Sequence, residues 1–253
     1  MDGAVFDDRR GMIVAAINDL PSDWHGSGTM PADGIEAMAA VMAAMPPIRL
    51  SLETGSGKTT LLFSHFSSCH KVFSLDSGTG SVDNVIGSPL FDSGAVEYIV
   101  GPTQRTLPAY EIPGPVDVAL LDGPHGYPFP DLEYYFVYPH IRTGGVLMVD
   151  DIHIPTIRRM FEILAADGMW DVEDVVGNLA ILRRTAREAV RPEEDGWWKQ
   201  GFNAPLIERA EAYKRATATG AGRMIHSARN TVRNAMPRRV RLAGRLLIRG
   251  TLD

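Results

Sequence analysis

The apolar residues of this chain fall into short continuous runs that alternate with helical patterns. Five segments predict strands, at Ile48 to Glu53, Lys71 to Asp76, Ala95 to Val100, Val116 to Leu121 and Gly145 to Asp150, and the last two are typical of strands buried on both faces. Helical patterns cover Met12 to Leu20, Gly34 to Met45 with Asp33 as the N-cap, Thr59 to Ser68, and the residues after Pro155. Asp171 to Val176 and Leu179 to Leu182, joined by Gly177 and Asn178, predict a β-hairpin.

This order of elements predicts an α/β fold with a doubly wound, mostly parallel sheet covered by helices on both faces. The closing hairpin predicts an antiparallel edge strand. We expect three parts: N-terminal helices in residues 1–45, the sheet domain in 46–185, and a basic helical C-terminal extension in 186–253. In such sheets, ligands bind beyond the carboxyl ends of the strands, near the point where strand order reverses. Functional residues are therefore sought at the strand ends.

Composition narrows the class of protein. The 253 residues are 45% apolar, which is enough for a sizeable core. The single cysteine, Cys69, excludes an intrachain disulfide framework and any multi-cysteine metal site. No apolar run is long enough to span a bilayer, and the mixed-charge N-terminus lacks the order of a signal peptide. We expect a cytoplasmic protein.

The formal net charge of −6 averages two unlike regions. Residues 186–253 carry 14 basic and 7 acidic side chains, whereas residues 1–185 carry 11 basic and 24 acidic ones. An acidic body argues against nucleic acid as a partner. The basic segment 213–253 includes Arg238 to Gly250, which predicts a short amphipathic helix. Such a helix could dock on the acidic body or on a second copy, lie on an anionic membrane surface, or bind nucleic acid. We expect a homo-oligomer and keep membrane contact as the alternative.

A glycine-rich turn follows the first strand. It contains Gly57-Lys58-Thr59, but a Walker A loop needs a glycine five positions before Gly57, and Leu52 stands there. A nucleoside triphosphate site is therefore disfavoured. An acid that ends the strand, Glu53, followed by Gly-x-Gly and a helix start, is similar to motif I of class I S-adenosylmethionine-dependent methyltransferases. Asp76 ends the second strand, 19 residues after Gly57, where an acid can accept both ribose hydroxyls.

Carboxylates also follow two later strands. Asp122 opens the segment Asp122-Gly-Pro-His125-Gly-Tyr127, and Asp150 and Asp151 follow the next strand. If these strands are neighbours, their ends lie about 4.8 Å apart. Carboxylates that close repel one another unless protons or a cation neutralise them. Oxygen ligands of this kind suit Mg²⁺, and Mn²⁺ or Ca²⁺ could also bind. The alternatives are that Asp150 and Asp151 cap the next helix and that His125 is a plain turn residue.

From about residue 46 to 184 the chain resembles the methyltransferases whose strand ends carry D-G-x-H-x-Y and then D-D, a family that includes metal-dependent sugar and natural-product O-methyltransferases. The resemblance implies a Rossmann-like fold and Mg²⁺-assisted methyl transfer from S-adenosylmethionine to a hydroxyl of a small acceptor, a sugar or sugar-bearing metabolite. It implies metal ligands at Asp122, Asp150 and Asp151, and catalytic roles for Asp122 and for His125 as the base.

The resemblance also implies a cofactor-binding set, made of the residues Glu53, Thr54, Gly55, Ser56, Gly57, Asp76, Ser77, Gln104 and Asp122. Two positions depart from the pattern: Gln104 stands where many relatives have an acid, and Lys58 stands where small or apolar residues are common. Two other functions stay open. One is a non-catalytic S-adenosylmethionine-binding scaffold whose tail recruits a membrane or a partner, and the other is a P-loop NTPase.

Overall fold

The computed structural model of the chain describes residues 8–21, 23–24, 29–75, 80–189, 196, 198 and 200–218. The chain divides into two compact units, Met1–Arg191 and Pro192–Asp253, which are described separately. The first unit contains a seven-stranded sheet, and the second contains one described α-helix. The predicted division at residues 45 and 185 stays a prediction, and the predicted helix at Arg238 to Gly250 lies outside the described residues.

The sheet has the strand order β3-β2-β1-β4-β5-β7-β6. Its strands are β1 (Ser51–Thr54), β2 (His70–Ser74), β3 (Val96–Val100), β4 (Val116–Leu121), β5 (Ile141–Val149), β6 (Trp170–Val176) and β7 (Leu179–Arg184). Strands β1 to β5 pair in parallel, whereas β7 pairs antiparallel with both β5 and β6. The predicted doubly wound sheet with an antiparallel edge is confirmed.

The helices connect the strands and precede them. They are α1 (Asp8–Asn18), α2 (Ala32–Ala44), α3 (Lys58–Phe66), α4 (Ser81–Ile86), α5 (Thr103–Ala109), α6 (Phe129–Val137), α7 (Pro155–Ala166) and, in the second unit, α8 (Ala204–Ala218). Helix α8 lies within the segment 186–253 that was predicted as a helical extension, although no bounds were predicted for a helix there. It is rich in alanine, a strong helix former, and Glu211 and Arg215 form an i,i+4 ion pair on it.

Strand β4 shows why continuous apolar runs form this sheet. Its side chains alternate between two faces, and Val118 and Leu120 pack in a core cluster with residues of α1, α2 and α3. Ala119 and Leu121 pack in a second cluster with residues of α6 and α7. Both faces of the strand are therefore covered, and all six of its residues are buried.

Two local predictions are corrected. Strand β1 begins at Ser51 rather than Ile48, because Ile48 forms only an isolated bridge with Ser67. Asp33 lies in the first turn of α2 rather than at its N-cap, which is Pro31. The Asp33 carboxylate instead accepts a hydrogen bond from the neighbouring Gly34 N–H at 2.9 Å. Across the part of the chain that the structure describes, we find no helix with the length and apolar character needed to cross a membrane.

Candidate functional site

A cavity of about 480 Å³ opens where the parallel strands β1, β2, β4 and β5 end. Strands β1 and β4 are the central neighbours at which the strand order reverses, which is where ligands bind in open α/β sheets. Its lining comes from the glycine turn, the ends of the strands and the N-terminal connection, and comprises Thr29, Met30, Pro31, Gly55, Ser56, Gly57, Lys58, Thr59, Phe73, Ser74, Leu75, Ser81, Thr103, Asp122, Gly123, Pro124, His125, Asp150, Asp151 and Asn178.

The glycine turn joins β1 to α3 in three residues, 55 to 57. Gly55 has a φ of 93°, a left-handed conformation that glycine adopts readily. A Cβ atom at Gly55 would overlap the main-chain oxygen of Asp122. The glycine therefore allows the ends of β1 and β4 to approach each other closely. The next residue, Ser56, lines the cavity, and its hydroxyl lies 3.0 Å from the Tyr98 hydroxyl.

Glu53, predicted to contact the cofactor, is fully buried and does not line the cavity. Its Oε1 accepts a hydrogen bond from the Thr60 hydroxyl and lies 3.3 Å from Nε2 of His70. His70 is also fully buried, and its Nδ1 lies 2.7 Å from the Ser51 hydroxyl. Glu53 thus belongs to a polar network beneath the glycine turn. The pairing of Ser51 with His70 places this histidine diagonally from Glu53 on the next strand, a relation visible only once the register is known.

Three of the predicted side chains converge at the ends of β4 and β5. Asp122, His125 and Asp151 each offer a ligand atom, and these atoms all lie within 4.8 Å of one another. His125 Nε2 is 3.0 Å from Asp151 Oδ2, and His153 Nδ1 is 3.5 Å from Asp151 Oδ1. Asp150 follows β5 as predicted but does not belong to this triad. Two carboxylates and an imidazole this close together can bind a divalent cation or share a proton.

The backbone around the triad fixes these positions. Asp150 donates its N–H to the Leu121 carbonyl at 3.1 Å, which continues the pairing of β4 with β5. Asp151 has a φ of 56°, an uncommon conformation for a residue other than glycine. The Thr156 hydroxyl donates a hydrogen bond of 2.6 Å to the carbonyl of His125, which joins the turn after β4 to the start of α7. Asp151, the residue with this uncommon backbone conformation, is also the one whose carboxylate contacts both His125 and His153.

Burial and mutual repulsion raise the pKa values of two carboxyl groups of the site, those of Asp122 and Asp150. Burial, with the negative charges of Asp150 and Asp151 next in weight, raises the pKa of Asp122. Burial also raises the pKa of Asp150 to about 6, opposed by a hydrogen bond from the backbone N–H of Asp151. Raised values of this kind mean that the site favours added protons or a bound cation over several uncompensated charges.

A further buried carboxyl group, Glu133 on α6, lies behind the triad, and no motif in the sequence pointed to it. Its Oε2 accepts a hydrogen bond of 2.7 Å from the Thr54 hydroxyl, which in turn accepts one of 3.1 Å from the N–H of Asp122. A Cβ atom at Gly123 would overlap the Glu133 carboxylate. Burial raises the pKa of Glu133 to about 7, opposed by the hydroxyls of Thr103 and Thr54. Glu133 and Thr54 thus support the main chain on either side of Asp122.

The remaining predicted residues lie in different places. Asp76 and Ser77 lie outside the described residues. Gln104 is exposed on α5 and does not line the cavity, whereas its neighbour Thr103 does. Asn178 in the hairpin turn also lines the cavity, and its carbonyl accepts a hydrogen bond of 3.0 Å from the N–H of Ile152. A turn asparagine carries no signal for such a role in the sequence, because its position depends on how β7 inserts beside β5.

A seven-stranded sheet of this order, with a glycine turn after β1 and acids after β4 and β5, defines a Rossmann-like methyltransferase fold. A family model described as "Methyltransferase domain" matches residues 52–152. Residues 52–152 are therefore similar to a methyltransferase domain, in agreement with the resemblance drawn from the strand-end motifs. None of the curated proteins compared with the chain matches it in sequence.

Solved structures share the fold at low sequence identity. The O-methyltransferase TomG from Streptomyces achromogenes, solved in complex with SAM, is 16% identical with a TM-score of 0.50, over 74% of this chain and 100% of TomG. Cofactor-bound Rv0187 from MTB is 19% identical with a TM-score of 0.51, over 72% of this chain and 93% of its own. The SAH-bound methyltransferase PaMTH1 from Podospora anserina is 15% identical with a TM-score of 0.50, over 71% and 89% respectively. At these identities the likeness defines the fold.

Proposed function

We propose that this chain transfers a methyl group from S-adenosylmethionine to a hydroxyl of a small acceptor, with a divalent cation at Asp122 and Asp151. The observation that carries the proposal is the convergence of Asp122, His125 and Asp151 on the wall of the cavity that the glycine turn also lines. Cofactor and acceptor chemistry can therefore meet in one space. TomG, an O-methyltransferase of the same fold, supports oxygen as the acceptor atom.

The cavity suits the cofactor in size and in lining. Its volume of about 480 Å³ lies in the range of sites for small molecules and cofactors, roughly 300–1,000 Å³. The turn 55–57 borders it with small residues, so that a ligand can approach the main chain closely. Glu53 and Thr54 would act from beneath this turn, because neither lines the cavity. Asp76, Ser77 and Gln104 are proposed as cofactor contacts from the family resemblance alone.

The triad suits a divalent cation through the chemistry of its donor set. The two carboxylates are ligands that Mg²⁺, Mn²⁺ and Ca²⁺ accept, and His125 is assigned to proton removal rather than to the cation. Asp122 and Asp151 would hold the ion, and Asp150 lies beside them at the end of β5. A bound cation would supply charge that makes an acceptor hydroxyl more acidic.

Proton removal falls to His125 in this proposal. Its Nε2 lies 3.0 Å from Asp151, so a proton on Nε2 is held by the carboxylate and Nδ1 is left as the basic nitrogen. In the transfer, the acceptor oxygen forms a bond to the methyl carbon while the bond from that carbon to sulfur breaks. The sulfonium becomes a thioether, and the hydroxyl proton passes to His125. Alignment of the oxygen with the methyl group supplies much of the rate.

Calorimetric titration with S-adenosylhomocysteine tests the cofactor, and a screen of sugars and phenols with methyl-labelled S-adenosylmethionine tests the transfer. We expect His125→Gln to retain cofactor binding and to lose methyl transfer by about 100-fold or more, the usual weight of a general base. His153→Gln is the matched control, because His153 is a comparably exposed histidine that contacts the other oxygen of Asp151. A wild-type chain that binds no S-adenosylhomocysteine would refute the proposal.

A further inference from the structure

Lys58 occupies an unusual position for a lysine. It is the first residue of α3, directly after the glycine turn, and it lines the cavity while only 6% of its surface is exposed. Small or apolar residues are common at this point of the motif, so the charge is a departure by this chain. A buried ammonium group loses its hydration, and that loss needs compensation by an anion or by hydrogen bonds.

The protein supplies only part of this compensation. Lys58 Nζ donates a hydrogen bond of 2.6 Å to the carbonyl of Leu20, in the connection between α1 and α2. Among the described residues no carboxylate lies within 4 Å of Nζ, in contrast to Lys71, which pairs with Glu97. Burial lowers the pKa of Lys58. Among the described residues, Lys58 therefore has a neutral hydrogen-bond partner and no carboxylate close enough to form an ion pair.

The chemistry of the cofactor supplies the missing anion. S-adenosylmethionine carries a single carboxylate, on its methionine portion, and its other charged groups are an ammonium and a sulfonium. Lys58 also stands at the N-terminus of α3, and the positive end of a helix favours an anion at the same place. An anion held there would lie against the glycine turn, where the proposed function lets a ligand approach the main chain closely.

We propose that Lys58 is the counter-ion of the cofactor's α-carboxylate and fixes the methionine portion against the turn 55–57. This inference rests on the proposed function for the identity of the cofactor. In this role, Lys58 strengthens binding of the cofactor through its carboxylate and does not contribute to binding of its adenosine. The Leu20 carbonyl holds the ammonium in place in the absence of the ligand.

The test compares three ligands by calorimetric titration: S-adenosylhomocysteine, its decarboxylated analogue, and 5′-methylthioadenosine. In Lys58→Met we expect the Kd of S-adenosylhomocysteine to rise by about 10- to 100-fold, the weight of a charge-assisted hydrogen bond. The Kd of the two ligands without a carboxylate should change by less than about 3-fold. Lys58→Arg should recover much of the loss, because it restores the charge.

Lys71→Met is the matched control, since it removes an equally buried lysine that pairs with Glu97 and does not line the cavity. Its Kd for S-adenosylhomocysteine should stay within about 2-fold of the wild type. If Lys58→Met raised the Kd of all three ligands equally, the inference would be overturned, because the lysine would then act through its contact with Leu20. Unchanged binding with a raised KM for the acceptor would overturn it as well. A wild type that binds the two truncated ligands and S-adenosylhomocysteine equally well would contradict the inference alone, whereas one that binds none of them refutes the proposed function.

Discussion

The buried carboxyl group of Glu133 should make the stability of the protein depend on pH in an identifiable way. The side chain is 2% exposed, and burial raises its pKa from an ordinary 4.5 to about 7. Such a group keeps its proton in the folded state at pH values where the unfolded chain has released it. The free energy of unfolding therefore falls as pH rises from about 4.5 to about 7, and the destabilisation is complete above that range.

The size of the effect follows from the shift. A change from 4.5 to about 7 corresponds to about 3 kcal/mol at high pH, of which about 2–3 kcal/mol develops between pH 5 and pH 8. Glu133→Gln removes the titration and keeps the shape of the side chain. The free energy of unfolding of the variant, taken relative to that of the wild type, should be about 2–3 kcal/mol higher at pH 8 than at pH 5. Any loss in the hydrogen bond to Thr54 applies at both pH values and cancels from the difference.

Urea unfolding followed by circular dichroism at pH 5, 6, 7 and 8 measures this difference. Glu162→Gln is the control, because Glu162 is a partly exposed glutamate on α7 that pairs with Arg159 at 3.0 Å. It should change stability by less than about 0.5 kcal/mol at every pH, as exposed pairs do. A Glu133→Gln variant whose stability relative to the wild type is the same at pH 5 and pH 8 would refute the argument from burial.

Three further predictions concern the supports of the site. Gly55→Ala should lower stability by about 1–3 kcal/mol for the left-handed backbone alone, with the overlap on Asp122 adding to it, and a thermal melt no lower than the wild type's would contradict this. His70→Phe should cost about 1–3 kcal/mol in urea unfolding, because Ser51 and Glu53 lose their buried partner; a neutral result would mean that the network contributes nothing. Asp151→Asn should weaken Mn²⁺ binding by about 10-fold or more in calorimetry, and an unchanged affinity would exclude Asp151 as a ligand.

The centre of the sheet was predictable from the sequence because strands such as β4 are buried on both faces. Strand β4 matches the predicted segment Val116 to Leu121 residue for residue, and β6 and β7 flank the predicted turn at Gly177 and Asn178. The start of β1 was missed by three residues, because Ile48 is as buried as a strand residue although it makes only one bridge. Apolar patterns report burial, and they report pairing only indirectly.

The site was predictable to a different degree. Asp122, His125 and Asp151 carry a spacing signal, because each follows a strand whose neighbour could be inferred, and the structure brings them together. Glu133 and His70 carry none. Each is a polar residue outside any motif, and its role depends on register and on how a helix packs over the sheet. Such contacts between distant elements are set by tertiary packing, which no local pattern encodes.

Asp122 is fixed from two sides in a way that the other members of the triad are not. Gly55 leaves space for its carbonyl oxygen, and the Thr54 hydroxyl accepts its N–H and donates to Glu133. His125 and Asp151, by contrast, lie on turns, with side chains 45% and 25% exposed. The triad therefore joins a residue whose main chain is held at the end of β4 to two residues whose side chains are more exposed. Disruption of the supports at Thr54 or Glu133 should move Asp122 and weaken cation binding even when His125 and Asp151 are intact.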